Sequence, residues 1–265
     1  MTAAVPRDWW RKPPLIANPL ARWGLRLAIA VYLVWAVSTL PIDWARASEG
    51  LSRAGRIFGG AFPPSFARSG LLIDGFLESL RIALLATAGG VALSIPVAFM
   101  AARNIAPTPV YWIGRGIVIV ARSFHPVIVA IVFVKAVGFG PFAGVLTLIV
   151  YSVGFVAKML AERIEEIDFG QVEALRAAGA PLLPTLFYAI FPQILPRQIG
   201  LAIYQLDSNL RASAVVGIVG AGGIGSTLAN AFGRYDYDFA LAIMIVIVGA
   251  ILLTEALSGW IRTRI

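Results

Sequence analysis

Three features predict an all-α integral membrane fold with six transmembrane helices: the apolar content, the spacing of the apolar runs, and the cations between them. Of the 265 residues, 59% are hydrophobic and 14% charged, whereas soluble domains carry about 25% charged residues. Mean hydropathy is +0.83. A single aqueous core cannot hide that much apolar surface at this chain length, but lipid covers it directly.

Residues 1–24 are polar and basic, with Arg7, Arg11, Lys12, Pro13, Pro14 and Arg22, and form an N-terminal segment. The first apolar run, Leu25–Pro41, reads as an uncleaved span, although Ala45-Arg46-Ala47 resembles a signal-peptidase site. The stretch 42–72 reads as an external surface segment broken at Gly59-Gly60 and Pro63-Pro64. The first span and this segment make one region, 25–70, and the remaining five helices occupy 71–265. Gly75–Ala102 is span two, with Pro96 expected to kink it. A polar link runs from Arg103 to Arg122. Span three covers Ser123–Val137, extendable by Gly114–Ala121, and ends at the turn Gly138-Phe139-Gly140-Pro141. Phe142–Leu160 is span four, and 161–188 is a charged loop with a helical pattern of its own. Ala189–Gly217 is span five, Gly220–Asp238 a Gly-rich connection and Phe239–Trp260 span six. About 20 helical residues cross a hydrocarbon core of about 30 Å, so these lengths fit.

Six spans put both termini on one side. Lys and Arg gather there, in residues 1–26, 103–122 and 158–197, against Arg46, Arg53, Arg56, Arg68 and Arg234 opposite. The positive-inside rule then makes both termini cytoplasmic, together with the loop after span four. The net charge of +8 comes without a dense basic run interleaved with aromatics, which argues against nucleic acid. No cysteine and a single histidine, His125, exclude disulfides and Cys- or His-rich metal sites. No Ser-His-Asp, paired-carboxylate or GxxxxGK[ST] pattern occurs, so the chain has neither catalytic residues nor a P-loop, and it binds no cofactor itself.

The loop after span four reads as a compact capped helix. Asp168 is placed to accept first-turn amides, and Gln171 three positions on would complete the cap. Glu173 is expected in the first turn, facing the helix dipole. Ala174, Ala177 and Ala178 make a small, smooth face, and Gly179 with Pro181 ends the helix. Glu173-Ala174-Leu175, then Gly179, then Pro192 thirteen residues on, resemble the EAA loop of ATP-binding cassette (ABC) importer permeases, with Leu175 standing where Ala is usual. Arg122-Ser123-Phe124, the 137–146 turn region, Glu173–Gly179, Asn209–Ser213 and Val219–Gly225 follow in an order similar to the phosphonate-type permeases over residues 70–262. His125-Pro126 departs from the usual Pro-acid pair.

That resemblance implies a type I ABC importer permease-like fold and the import of phosphonate, phosphate or phosphite. Its implied partners are a second copy of the chain, two ATP-binding cassette subunits carrying ATP and Mg, and a periplasmic solute-binding protein. Glu173, Ala174, Arg176, Ala177 and Gly179 would form the ATPase-coupling contact.

The candidate path residues are Arg211, Asn209, Ser213, Ser123 and His125. A guanidinium in a span is expensive and suits bidentate oxyanion binding. Asp207, four residues earlier, would equally neutralise Arg211 on the same face. Asn209 and Ser213 offer neutral donors or helix packing. Ser123 and His125 would line an inner gate or cap the helix before Pro126. Lys135 is expected to snorkel, and Arg81 to pair with Glu78 or Asp74. Gly220-Ala221-Gly222-Gly223-Ile224-Gly225 matches G-x-G-x-x-G, but it lacks a βαβ frame and reads as a tight gating turn. An ion-driven secondary transporter is the competing reading, and no internal repeat supports it.

Overall fold

The computed structural model describes residues 18–41 and 43–262, and their regular structure is entirely helical. The cations Arg7, Arg11 and Lys12, expected to mark the cytoplasmic side, lie outside the described residues. The chain divides into two compact units, Met1–Arg56 and Ile57–Ile265.

In the first unit, α1 spans Pro19–Thr39. Asn18 caps it by accepting from the Leu20 amide at 2.9 Å, and Pro19 opens it with a φ already suited to a helix. Leu27, Val34 and Trp35 remain exposed, as on a helix whose solvent is lipid. The region after Pro41 departs from expectation: α2 runs from Trp44 to Ala61, and its glycines are helical instead of breaking the chain. The break falls at Phe62-Pro63.

The second unit centres on α3 (Ser69–Ala101), α6 (Pro141–Glu165) and α9 (Phe191–Ile218). α3 packs along α6, and both pack on α9. Small residues set that approach: a Cβ on Gly90 would run into the Ser152 side chain. α3 continues through Pro96, and its 33 residues reach about 50 Å.

Span three is not one helix. α4 (Thr108–Ser123) and α5 (Pro126–Val137) meet at 92° around Phe124-His125. Pro126 disfavours helical backbone at the residue before it. His125 is accordingly extended, and its Nδ1 accepts from the Val127 amide at 3.4 Å. The stretch read as a polar link is therefore mostly α4, fixed by the Arg115–Glu165 ion pair at 2.9 Å. Among the described residues, five helices are long and apolar enough to cross a membrane, or six if α4 and α5 form one broken span.

Beyond Glu165 come α7 (Phe169–Ala177), the single turn α8 (Leu182–Thr185) and a π-helical turn, Leu186–Ile190, that leads into α9. The Gly-rich connection holds another unexpected helix, α10 (Ile224–Gly233), before α11 (Tyr237–Arg262). α10 packs against α9, α3 and α11. A Cβ on Gly225 would collide with the Ala214 carbonyl of α9, so only glycine permits this crossing.

Candidate functional site

Two features meet the functional expectations: the surface of α7 and a cavity beside Arg211. Val172 is buried, and Leu175 packs into the cluster formed by Leu160, Ile164, Ile190 and Ile194. That contact gives Leu175 a role that the usual alanine would fill less well. Glu173, Ala174, Arg176 and Ala177 are exposed on α7, and Gly179, just past its end, is exposed as well. Gly179 adopts φ 79°, its amide donates to Arg176 O at 2.9 Å, and the Ala180 amide donates to Leu175 O at 3.0 Å. These bonds form the Schellman stop predicted from Gly179. Glu173, however, falls beyond the first turn, where the dipole is weaker.

The cap differs from the expected pairing. Asp168 Oδ1 accepts from the Gly170 amide at 2.9 Å, but Gln171 does not close the box. Gln193, on α9, accepts from the Asp168 amide at 2.9 Å through its Oε1. Its Nε2 lies 3.2 Å from Asp168 O, 3.3 Å from Gln171 Oε1 and 2.7 Å from Ala189 O. The start of α7 is thus fastened to the start of α9. No sequence spacing rule reaches across 25 residues to find this partner.

Arg211 pairs with Asp207 at 2.8 Å, and the Thr254 hydroxyl of α11 holds the other carboxylate oxygen at 3.0 Å. The Asp207 side chain is only 13% exposed, whereas that of Arg211 is 53% exposed. Both sequence readings of Arg211 therefore meet at one residue: its charge is balanced, and its side chain still lines a cavity. That cavity, about 430 Å³, is bounded by His125, Tyr151, Tyr204, Ser208, Arg211 and Val215. A second cavity of about 690 Å³, lined by Phe155, Arg163, Gln193, Arg197 and Tyr204 among others, adjoins it through Tyr204. Together they follow one face of α9 against α6.

The other path candidates separate. Asn209 and Ser213 are fully buried. Asn209 Nδ2 donates to Thr87 Oγ1 and Ser152 Oγ, each at 2.9 Å, and Gln205 Nε2 donates to Asn209 Oδ1 at 2.9 Å. Ser213 donates to Leu210 O in its own helix. These two side chains pack helices and do not line the cavity. Ser123 donates to Ile119 O at 2.7 Å in the last turn of α4, and only His125 of that pair reaches the Arg211 cavity. Lys135 is exposed at the end of α5. Arg81 has no carboxylate within 4.0 Å among the described residues, contrary to the expected pairing with Glu78 or Asp74.

The Gly220–Gly225 turn is tight, as expected. Gly220, Gly222 and Gly223 have positive φ, and Ser79 Oγ accepts from the Ile224 amide at 2.9 Å. Helices flank it on both sides, so it lacks the strand that dinucleotide binding requires. Among the described residues there is also no cluster of His, Asp or Glu able to hold a metal ion.

Comparison with known proteins adds an independent line. The model of the family described as binding-protein-dependent transport system inner membrane component matches residues 94–265. The phosphate-import permease protein PhnE of Mycolicibacterium smegmatis is 40% identical over 264 residues, covering 95% of this chain and 48% of that protein. This chain thus spans about half the length of that relative. The phosphite transport system permease protein PtxC of Stutzerimonas stutzeri is 38% identical over 255 residues, covering 96% and 90%. In structure, a chain of the inward-facing MetNI methionine ABC transporter superposes with a TM-score of 0.66 at 24% identity, over 76% of this chain and 98% of that one.

Proposed function

We propose, because the chain belongs to the family of binding-protein-dependent transport system inner membrane components, that it is the membrane-spanning permease subunit of an ATP-driven importer for phosphonate, phosphate or phosphite. The names of the PhnE and PtxC relatives support that substrate class. ATP and Mg sit on two separate ATPase subunits, and a periplasmic binding protein delivers the anion. A second copy of the chain completes the path, and both termini face the cytoplasm.

The observation that carries the coupling half is α7. It is too short to span a membrane, anchored by Val172 and Leu175, and exposed along Glu173, Ala174, Arg176 and Ala177. A short helix with one seated face and one free face fits a partner's groove. Closure of the ATPases on ATP pushes α7, and Gln193 passes the displacement to α9. α9 carries Arg211 and one wall of the cavity, so the same motion reshapes the place where the anion rests. Arg211 supplies donors for an oxyanion, with Asp207 fixing its aim and balancing its charge between cycles. His125 sits across the cavity at the α4–α5 bend.

The test is reconstitution of the whole complex in proteoliposomes, with Glu173→Arg in this chain. The expected result is loss of both anion uptake and the ATP hydrolysis stimulated by the binding protein. Undiminished stimulated hydrolysis would sink the coupling role. Uptake driven by a proton or sodium gradient without ATP would instead favour a secondary transporter. An uptake panel of phosphonate, phosphate and phosphite identifies the anion.

A further inference from the structure

Helix α2 has no part in the path or the coupling contact, yet its side chains are sorted into two faces. Trp44, Ala47, Leu51, Ala54 and Phe58 recur at alternating spacings of three and four and form one stripe. Arg46, Glu49, Arg53 and Arg56 recur in the same rhythm on the opposite side. The stripe is bare: Trp44 is 75% exposed, Leu51 78% and Phe58 69%.

We propose that α2 lies in the plane of the bilayer surface. Its Trp44–Leu51–Phe58 stripe enters the boundary between headgroups and acyl chains, and its arginines engage the phosphates of anionic lipid headgroups.

Four observations single out this occupant. The first is connectivity: α1 and α3 are both apolar enough to cross a membrane, and only residues 40–43 and 62–68 join them to α2. The start of α2 is therefore tethered at the membrane boundary by α1, whose apolar run reaches Thr39. The second is charge. Four ionised side chains on one face forbid α2 from crossing the bilayer, while a surface position leaves them in water. The third is complementarity. Arg53 pairs with Glu49 at 2.9 Å and Arg46 with Asp43 at 3.3 Å, but both pairs are well exposed and therefore weak. Such guanidiniums exchange readily to phosphate oxygens, which their fork matches. The fourth is intrinsic stability. Gly50, Gly55, Gly59 and Gly60 all disfavour a helix relative to alanine, so burial of the stripe must supply what propensity does not.

This inference is independent of the transport reading, and its test does not measure transport. The chain has no cysteine, so single nitroxide labels can be placed by Leu51→Cys, Phe58→Cys, Glu49→Cys and Arg53→Cys in the full chain. The probe membrane is a vesicle of equal parts phosphatidylglycerol and phosphatidylethanolamine, read by collision with oxygen and with a water-soluble nickel chelate. Labels at 51 and 58 should favour oxygen severalfold more than labels at 49 and 53. In pure phosphatidylcholine vesicles that contrast should shrink, and R46Q/R53Q/R56Q should shrink it in the anionic vesicles too. Equal accessibility at all four positions would overturn the proposal. So would spin–spin broadening at 51 and 58, which would put a second copy on the stripe. Shielding of the stripe that appears only with added binding protein would likewise assign it to that protein.

Discussion

Replacing Gln193 by alanine tests how force leaves α7. The amide side chain makes one acceptor contact, to the Asp168 amide, and shares its two donor hydrogens among Asp168 O, Gln171 Oε1 and Ala189 O. Three bonds' worth of pairing at about 0.5–1.5 kcal/mol each, discounted for partial exposure, gives about 1–3 kcal/mol. Val172 and Leu175 keep their apolar seats, so the bundle should not unfold. The loss should appear locally, as fraying of the first turn of α7. At 1.4 kcal/mol per tenfold, hydrogen exchange of the 168–172 amides should quicken about five- to hundredfold, while α6 amides stay unchanged. In the reconstituted complex, less anion should be moved per ATP hydrolysed, with basal hydrolysis retained. Gln193→Glu keeps the acceptor but turns a carboxylate oxygen toward three acceptor oxygens, so its effect should be at least as large. If exchange quickens but the transport-to-ATP ratio holds, α7 acts on the path by another route and the Gln193 linkage is wrong.

Three further outcomes follow from the packing and one from the Arg211 cavity. Asn209→Leu leaves Thr87, Ser152 and Gln205 without their shared partner, and should lower the thermal midpoint in detergent by the equivalent of about 1–3 kcal/mol. Gly225→Ala drives a Cβ into the Ala214 carbonyl and should cost about 1–3 kcal/mol or more in the same assay. Gly249→Ala, with nothing within 4 Å, should be neutral or stabilising by up to about 1 kcal/mol. Arg211→Gln should cut anion uptake severalfold, and Asp207→Asn, which removes the carboxylate that aims the guanidinium, should also reduce it; uptake unaltered in both would remove the cavity from the path.

What the sequence makes legible is what bilayer physics writes into short windows. α1, α6 and α11 are long apolar runs between cations, and each lies where hydropathy puts it. The stop at Gly179 is equally local, since a positive φ and a six-residue bonding pattern leave a readable residue. The misses have their own causes. α2 and α10 carry enough glycine to look like breaks, but their helices are decided by surroundings that composition does not report. α4 looks polar because Arg115 is on it, although Glu165, fifty residues away, neutralises that charge. The partition of the path candidates was likewise invisible. Arg211 and Asn209 are two residues apart in span five, yet helical phase turns one toward a cavity and the other into the bundle.

The buried quartet of Thr87, Ser152, Gln205 and Asn209 also bears on how the chain is made. Gln205 and Asn209 bring the amides that most need partners, and they lie on the last of the three helices involved. Thr87 on α3 and Ser152 on α6 are synthesised earlier. Each hydroxyl can wait in lipid at little cost by bonding back to its own helix, Thr87 to Ala83 O and Ser152 to Leu148 O. When α9 leaves the ribosome, acceptors for its amides already stand in the membrane. The order of the helices along the chain thus spares the most polar span from ever residing alone in hydrocarbon, and a circular permutant that begins with α9 would lose that protection.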